Sequence, residues 1–146
     1  MTDKLFIVLR GLPGSGKSTF AKEVKNVASQ NGLSFLCAST DDYWKAKKII
    51  FNSDYLSAAH QWNFQRVEQA MKDGVQVVVL DNTNIKKAHF SNYLLLASSY
   101  GYDVRVEIIG RIDERSINEY FHRNVHNVPI HTIERMAREF EAYEDG

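Results

Sequence analysis

Cysteine is almost missing from this sequence. A single residue, Cys37, excludes an internal disulfide, and no His or Cys cluster has the spacing of a zinc site. Cys37 lies in the apolar run SFLCA, where a free thiol is expected to pack in the core. An excess of charge is missing too: 18 Lys and Arg balance 18 Asp and Glu, for a formal net charge of zero. That argues against a protein that coats DNA by unspecific attraction, while leaving room for a local basic cleft. Long apolar runs are absent. The N-terminal run LFIVL is too short for a signal peptide and far too short to span a membrane, so the expectation is a soluble, cytoplasmic protein with no membrane partner. There are no repeats, low-complexity tracts or linkers. The 146 residues suffice for one domain with a real core, expected to cover 1–146.

What is present alternates between two periodicities. LFIVL (5–9), SFLCA (34–38), VQVVVL (75–80) and VRVEII (104–109) are short and apolar, and read as buried parallel strands. Helical stripes lie between them. Phe20, Val24, Val27 and Ala28 form one, with a stop at Gly32. His60, Asn63, Phe64, Val67 and Met71 form the next, ending at Gly74. Phe90, Tyr93, Leu94 and Ala97 form a third, ending at Gly101. Two further helices are expected, one after Asp113 carrying Ile117, Tyr120 and Phe121, and one from near Pro129 carrying Ile133, Met136, Ala137 and Phe140. Residues 43–56 have no clear period and read as loop with room for one helical turn. Strand–helix alternation predicts an α/β three-layer architecture: a parallel sheet of four or five strands with helices on both faces.

The stretch GLPGSGKS (11–18) fits G-x-x-x-x-G-K-[ST], follows a predicted strand and opens a predicted helix, the context of a P-loop. Phosphate oxygens need several backbone N–H groups converging on one point. Gly11, Gly14 and Gly16 allow that tight wrap, and the helix N-terminus adds its own unpaired N–H groups. Lys17 supplies a charge for the β- and γ-phosphates, and the Ser18 hydroxyl is a hard ligand for Mg²⁺. Gly11, Pro13, Gly14, Ser15, Gly16, Lys17, Ser18 and Thr19 are the candidate ATP site, and the fold class narrows to a P-loop NTPase or kinase.

Three further segments bear on the chemistry. STDDYW (39–44) follows the second strand, where the ligand crevice of a parallel sheet lies. Its two carboxylates suit either a base for an acceptor hydroxyl or a helix N-cap. VVVLDNTN (77–84) ends a strand in Asp81, positioned as a metal-supporting acid alongside Ser18, with Asn82, Thr83 and Asn84 at the crevice. A strand-ending turn would use the same residue types. HRNVHNVP (122–129) is a polar connector in which Arg123 can close on a transferring phosphate as part of a lid, or remain a solvated arginine.

Taken together, these segments resemble the P-loop kinases of the polynucleotide kinase type. The likeness runs over nearly the whole chain. RGLPGSGKSTFAK is also similar to the amino-terminal domain of the myelin cyclic nucleotide phosphodiesterases, of the same superfamily. AAHQWNFQRVEQAM and RNVHNVPIHTIERM resemble small ATP-binding proteins of that group. The resemblance implies a sheet ordered 2-3-1-4. It implies Lys17 and Ser18 on the donor phosphates and Mg²⁺, Asp41 as general base, Thr83 and Val128 touching the acceptor, and Arg123 as a lid arginine. Two departures stand out. Trp44 occupies a position where the family has an acceptor-gripping arginine, and a second lid arginine is replaced by His126 or by nothing. Trp44 can stack on a base, with Lys45, Lys47, Lys48, Lys86 and Lys87 as a basic rim, or it can pack as a lid on the second strand.

The expected activity is transfer of the ATP γ-phosphoryl group, with Mg²⁺, to the 5′-hydroxyl of a polynucleotide or nucleotide. Lys17, Asp41 and Arg123 are the expected catalytic residues. A small-molecule kinase of the same fold and a non-catalytic ATP-binding module are the alternatives.

Overall fold

The computed structural model describes residues 4–123 and 128–142. Its frame is a four-stranded parallel sheet ordered β2-β3-β1-β4, built from β1 (Leu5–Arg10), β2 (Phe35–Ala38), β3 (Val77–Asp81) and β4 (Asp103–Ile108). All four apolar runs are strands, and the order is the one the resemblance implied. Successive side chains on a strand face opposite ways. Phe6 and Val8 of β1 therefore join Val78 and Leu80 of β3 in one core, while Ile7 and Leu9 join Val77 and Val79 in a second. Burial on both faces is why the central strands are apolar without alternation. The reading of VRVEII as buried is corrected: β4 is an edge strand, and its Arg105 and Ile108 are exposed.

Helix α1 (Lys17–Gln30) covers one face of the sheet through Ala21 and Ala28. Helices α3 (Leu56–Lys72) and α4 (Ser91–Ser99) cover the other through Val67, Met71, Tyr93 and Ala97. All three end next to the glycines expected to stop them, Gly32, Gly74 and Gly101. Helices α5 (Glu114–Arg123) and α6 (Ile130–Glu139) make a third core, in which Ile117, Tyr120 and Ile133 close over Leu12. Leu12 belongs to the glycine loop, so this core anchors the loop from behind. Burying a leucine is worth about 1.5–3 kcal/mol.

Residues 43–56 carry more helix than the single turn expected. They begin in a six-residue helix, α2 (Asp42–Lys47), and include a single 3₁₀ turn at Ser53–Tyr55. A helix this short has no room to show a period, and its neighbours stabilise it instead. Arg66 of α3 pairs with Asp42 at 2.6 Å, and Tyr43 meets Trp62 edge to face at 5.7 Å. Cys37 packs, partly buried, against the α1-side core, and burial pushes its thiol pKa up to about 12. Among the described residues, no helix is long and apolar enough to cross a membrane.

Candidate active site

Parallel strands deliver their carboxyl ends to one edge of the sheet. β1 hands over there to the glycine loop, which leads directly into α1. The Gly11 N–H donates to the Thr83 carbonyl at 3.1 Å, joining this loop to the one after β3. A Cβ on Gly11 would lie 2.6 Å from Ser15 Oγ and 2.7 Å from the Ile109 carbonyl. A Cβ on Gly14, whose φ is +81°, would strike the Tyr120 carbonyl of α5. Only glycine fits at either place. A Cβ on Gly16, in contrast, would meet nothing within 4 Å, so the loop borders open space at the start of α1. Pro13 is buried, whereas Ser18 and Thr19 are exposed.

Lys17 arches back over the loop, its Nζ donating to the carbonyls of Gly11 and Leu12, both at 3.1 Å. Ser18 Oγ donates to Asp81 Oδ2 at 3.5 Å. Burial lowers the Lys17 pKa, and Asp81 and then Asp41 pull it back up. Burial raises the Asp81 pKa. Lys17 and the Ser18 hydrogen bond oppose that rise, while Asp42 and Asp41 add to it. These groups thus share one electrostatic field. A hydroxyl and a carboxylate side by side are hard oxygen donors, a set that fits Mg²⁺ held partly by substrate phosphates.

The two carboxylates after β2 have different surroundings. Asp42 Oδ2 accepts from Arg66 Nη1 at 2.6 Å and from the Ser39 N–H at 3.3 Å. Asp41 is exposed and occupies the N-cap position of α2, but its side chain makes no capping hydrogen bond. One residue earlier, Thr40 and Asn82 clasp each other: the Thr40 N–H donates to Asn82 Oδ1 at 2.9 Å, and Asn82 Nδ2 donates to Thr40 Oγ1 at 3.0 Å. His60 Nδ1 lies 3.3 Å from the same hydroxyl. The loops after β2 and β3 are thereby locked together.

The remaining candidates are spread more widely. Trp44 is half-buried in a surface aromatic cluster, edge to face with Tyr43 at 5.2 Å and with Phe51 at 5.1 Å. Val128 packs on the core that contains Leu12. Arg123 ends α5, exposed, with its guanidinium 5.4 Å from the Tyr120 ring, on the residue whose carbonyl crowds Gly14. Most of the expected lid, 124–127 with His126, lies outside the described residues. Thr83 lines a groove of about 700 Å³ between α3, α4 and α6.

Sequence reasoning missed Arg10. It is fully buried. Its Nε donates to the Asn84 carbonyl at 2.7 Å, and its Nη2 to those of Ile85 at 3.0 Å and Glu141 at 2.6 Å. The rings of Phe90 and Phe140 lie 4.9 and 4.5 Å from the guanidinium carbon. Burial lowers its pKa, and Glu141 opposes that. The only signal in the sequence is a charged residue ending an apolar strand just before the glycine loop.

A family model described as an AAA domain matches residues 6–143. Over 140 residues the chain is 30% identical to human (Homo sapiens) NEDD4-binding protein 2, covering 95% of this chain but 8% of that protein. It is 28% identical to the 2′,3′-cyclic-nucleotide 3′-phosphodiesterase of Rattus norvegicus, covering 69% of this chain and 23% of that one. The chain thus spans a small part of the curated relatives it matches. Among solved structures, a chain of the Pnkp1/Rnl/Hen1 RNA repair complex superposes with a TM-score of 0.71 at 17% identity, over 94% of this chain and 44% of that one. A gluconokinase from Sinorhizobium meliloti gives 0.58 at 17% identity, over 97% and 78%. These structures share its fold.

Proposed function

Because the chain belongs to this AAA domain family and has the fold of P-loop kinases, we propose that it is an ATP-dependent phosphotransferase whose acceptor is the 5′-hydroxyl of a polynucleotide or nucleotide. The observation that carries this reading is the meeting of Lys17, Ser18 and Asp81 beside the glycine loop, within the field of Asp41. A pure ATP-binding module shares the Mg²⁺-supporting carboxylate but has no use for Asp41 as a base.

In the proposed reaction, the loop N–H groups and the start of α1 hold the donor phosphates. Lys17 exchanges the Gly11 and Leu12 carbonyls for phosphate oxygens. Mg²⁺ held by Ser18 and Asp81 would neutralise charge on the β- and γ-phosphates. Asp41 takes the proton of the acceptor hydroxyl as its oxygen bonds to the γ-phosphorus and the bond to the β,γ-bridging oxygen breaks, releasing ADP. Arg123 serves the spreading charge on the transferred group from the end of α5. Positioning and charge carry the rate, since phosphoryl transfer asks for little covalent help.

The polynucleotide-type resemblance and the RNA repair neighbour support a nucleic-acid acceptor. Trp44 at an arginine position and the zero net charge support a second reading, a small-molecule kinase of the same fold. Transfer from labelled ATP to a panel of 5′-hydroxyl DNA, 5′-hydroxyl RNA, mononucleotides, nucleosides and aminoglycosides tests both. Label on the 5′-hydroxyl substrates is expected. Label on aminoglycosides alone would favour the second reading, and ATP binding without transfer to any acceptor would overturn both.

A further inference from the structure

The groove beside Thr83 has no task in donor binding and is open to solvent. Its volume of about 700 Å³ falls within the roughly 300–1,000 Å³ of small-molecule sites. Its floor is apolar and aromatic: Phe64 and Tyr93 meet edge to face at 5.1 Å, with Met136 of α6 alongside. Its rim carries Lys86 and Arg135, both exposed, together with His60 and His89. The carboxylate among its lining residues is Glu139, 4.0 Å from Lys86 Nζ. Two of its lining residues, His60 and Asn82, are hydrogen-bonded to Thr40, the residue before Asp41. A ligand filling the groove therefore meets aromatic side chains, two cations, and two residues bonded to the neighbour of the proposed base.

Resting on the phosphotransferase reading, we propose that this groove seats the acceptor as a nucleotide unit, its base over Phe64, its phosphate on Arg135 and Lys86, and its hydroxyl turned toward Asp41. Base–aromatic contact and charge-assisted hydrogen bonds to phosphate are the two interactions such a unit offers, and the groove supplies both. The local field agrees. His89 Nδ1 accepts from the Lys86 N–H at 3.3 Å. Its pKa is lowered first by burial, then by Lys86, His60 and Arg10, with Glu141 opposing. An anion seated near Lys86 and Arg135 would raise it again.

The test needs no ATP. The histidine rings are followed by NMR while a nucleoside 3′-monophosphate, the matching nucleoside and inorganic phosphate are each titrated into the whole chain. The monophosphate should bind at least about tenfold more tightly than either fragment and should raise the His89 pKa. Arg135→Ala and Lys86→Ala change exposed side chains, so the fold should persist. Each should weaken that binding about tenfold and leave affinity for a non-hydrolysable ATP analogue unchanged. A 5′-hydroxyl oligonucleotide run alongside separates a strand end from a free nucleotide. Equal affinity for nucleoside and nucleotide, or an unmoved His89 titration, would overturn the groove assignment. Failure at the groove with ATP-analogue binding intact counts against this inference alone, whereas loss of analogue binding counts against the donor site.

Discussion

Asp42 is tied down by Arg66 and the Ser39 N–H, while Asp41 beside it leaves the cap of α2 unmade. The two should therefore respond differently to the same change. Asp41→Asn is expected to cut kcat about 10²- to 10⁴-fold, the worth of a general base, with ATP affinity nearly unchanged. Asp42→Asn should cost under about 1 kcal/mol of stability, as half-exposed ion pairs do, and little rate. Steady-state kinetics on both variants decide it, and equal losses would refute the assignment of the base. Asp81 carries a different signature. Its folded pKa lies above its unfolded one because burial outweighs the help of Lys17 and Ser18. The ionised carboxylate thus costs stability at neutral pH, and the cost fades as pH falls through the raised value toward the ordinary carboxylate range. Relative to Asp81→Asn, the wild type should gain melting temperature as the pH is lowered from 7 to 4. A difference independent of pH would show that the burial of Asp81 is not felt.

At the level of elements, β1 and β3 could be read from composition because both their faces are buried, which leaves an uninterrupted apolar run. Helices α1, α3 and α4 announced themselves through stripes and glycine stops. Helix α2 did not, since Asp42–Arg66 and Tyr43–Trp62 hold it and neither pair has a signature along the chain. The glycine loop and Asp81 were legible because their spacing to a strand end is local. The Arg10 bonds and the groove were not, because Asn84, Ile85, Glu141, Phe64 and Arg135 converge from separate elements. Helix α2 also bears on the acceptor. Trp44 and Phe51 form an aromatic face at the surface, with Lys45, Lys47 and Lys48 exposed nearby in the chain. If a strand runs over that face, Trp44→Ala should raise the acceptor KM about tenfold, from a stacking loss of roughly 1–3 kcal/mol, and spare the KM for ATP. A fall in melting temperature with both KM values moving together would assign Trp44 to packing instead.

Over the whole molecule, Arg10 fastens three distant pieces: the end of β1, the loop after β3 and the segment following α6. Replacing it with methionine removes the donor from three carbonyls and should cost about 3 kcal/mol or more, since hydrogen bonds from a charged group contribute about 1.5–3 kcal/mol each. Denaturant melts measure that loss, and a near-wild-type midpoint would show that the clamp carries little stability. The walls of the glycine loop have a parallel reach. Gly11 and Gly14 precede in sequence the surfaces that shape their turn, which come from Thr83, Ile109 and Tyr120. During synthesis, which runs from the N-terminus, the ribosome releases the motif long before it releases those walls. A nascent chain therefore carries the motif for a time without the walls that fix its turn, and a product cut short before Tyr120 is expected to bind ATP more weakly than the whole chain.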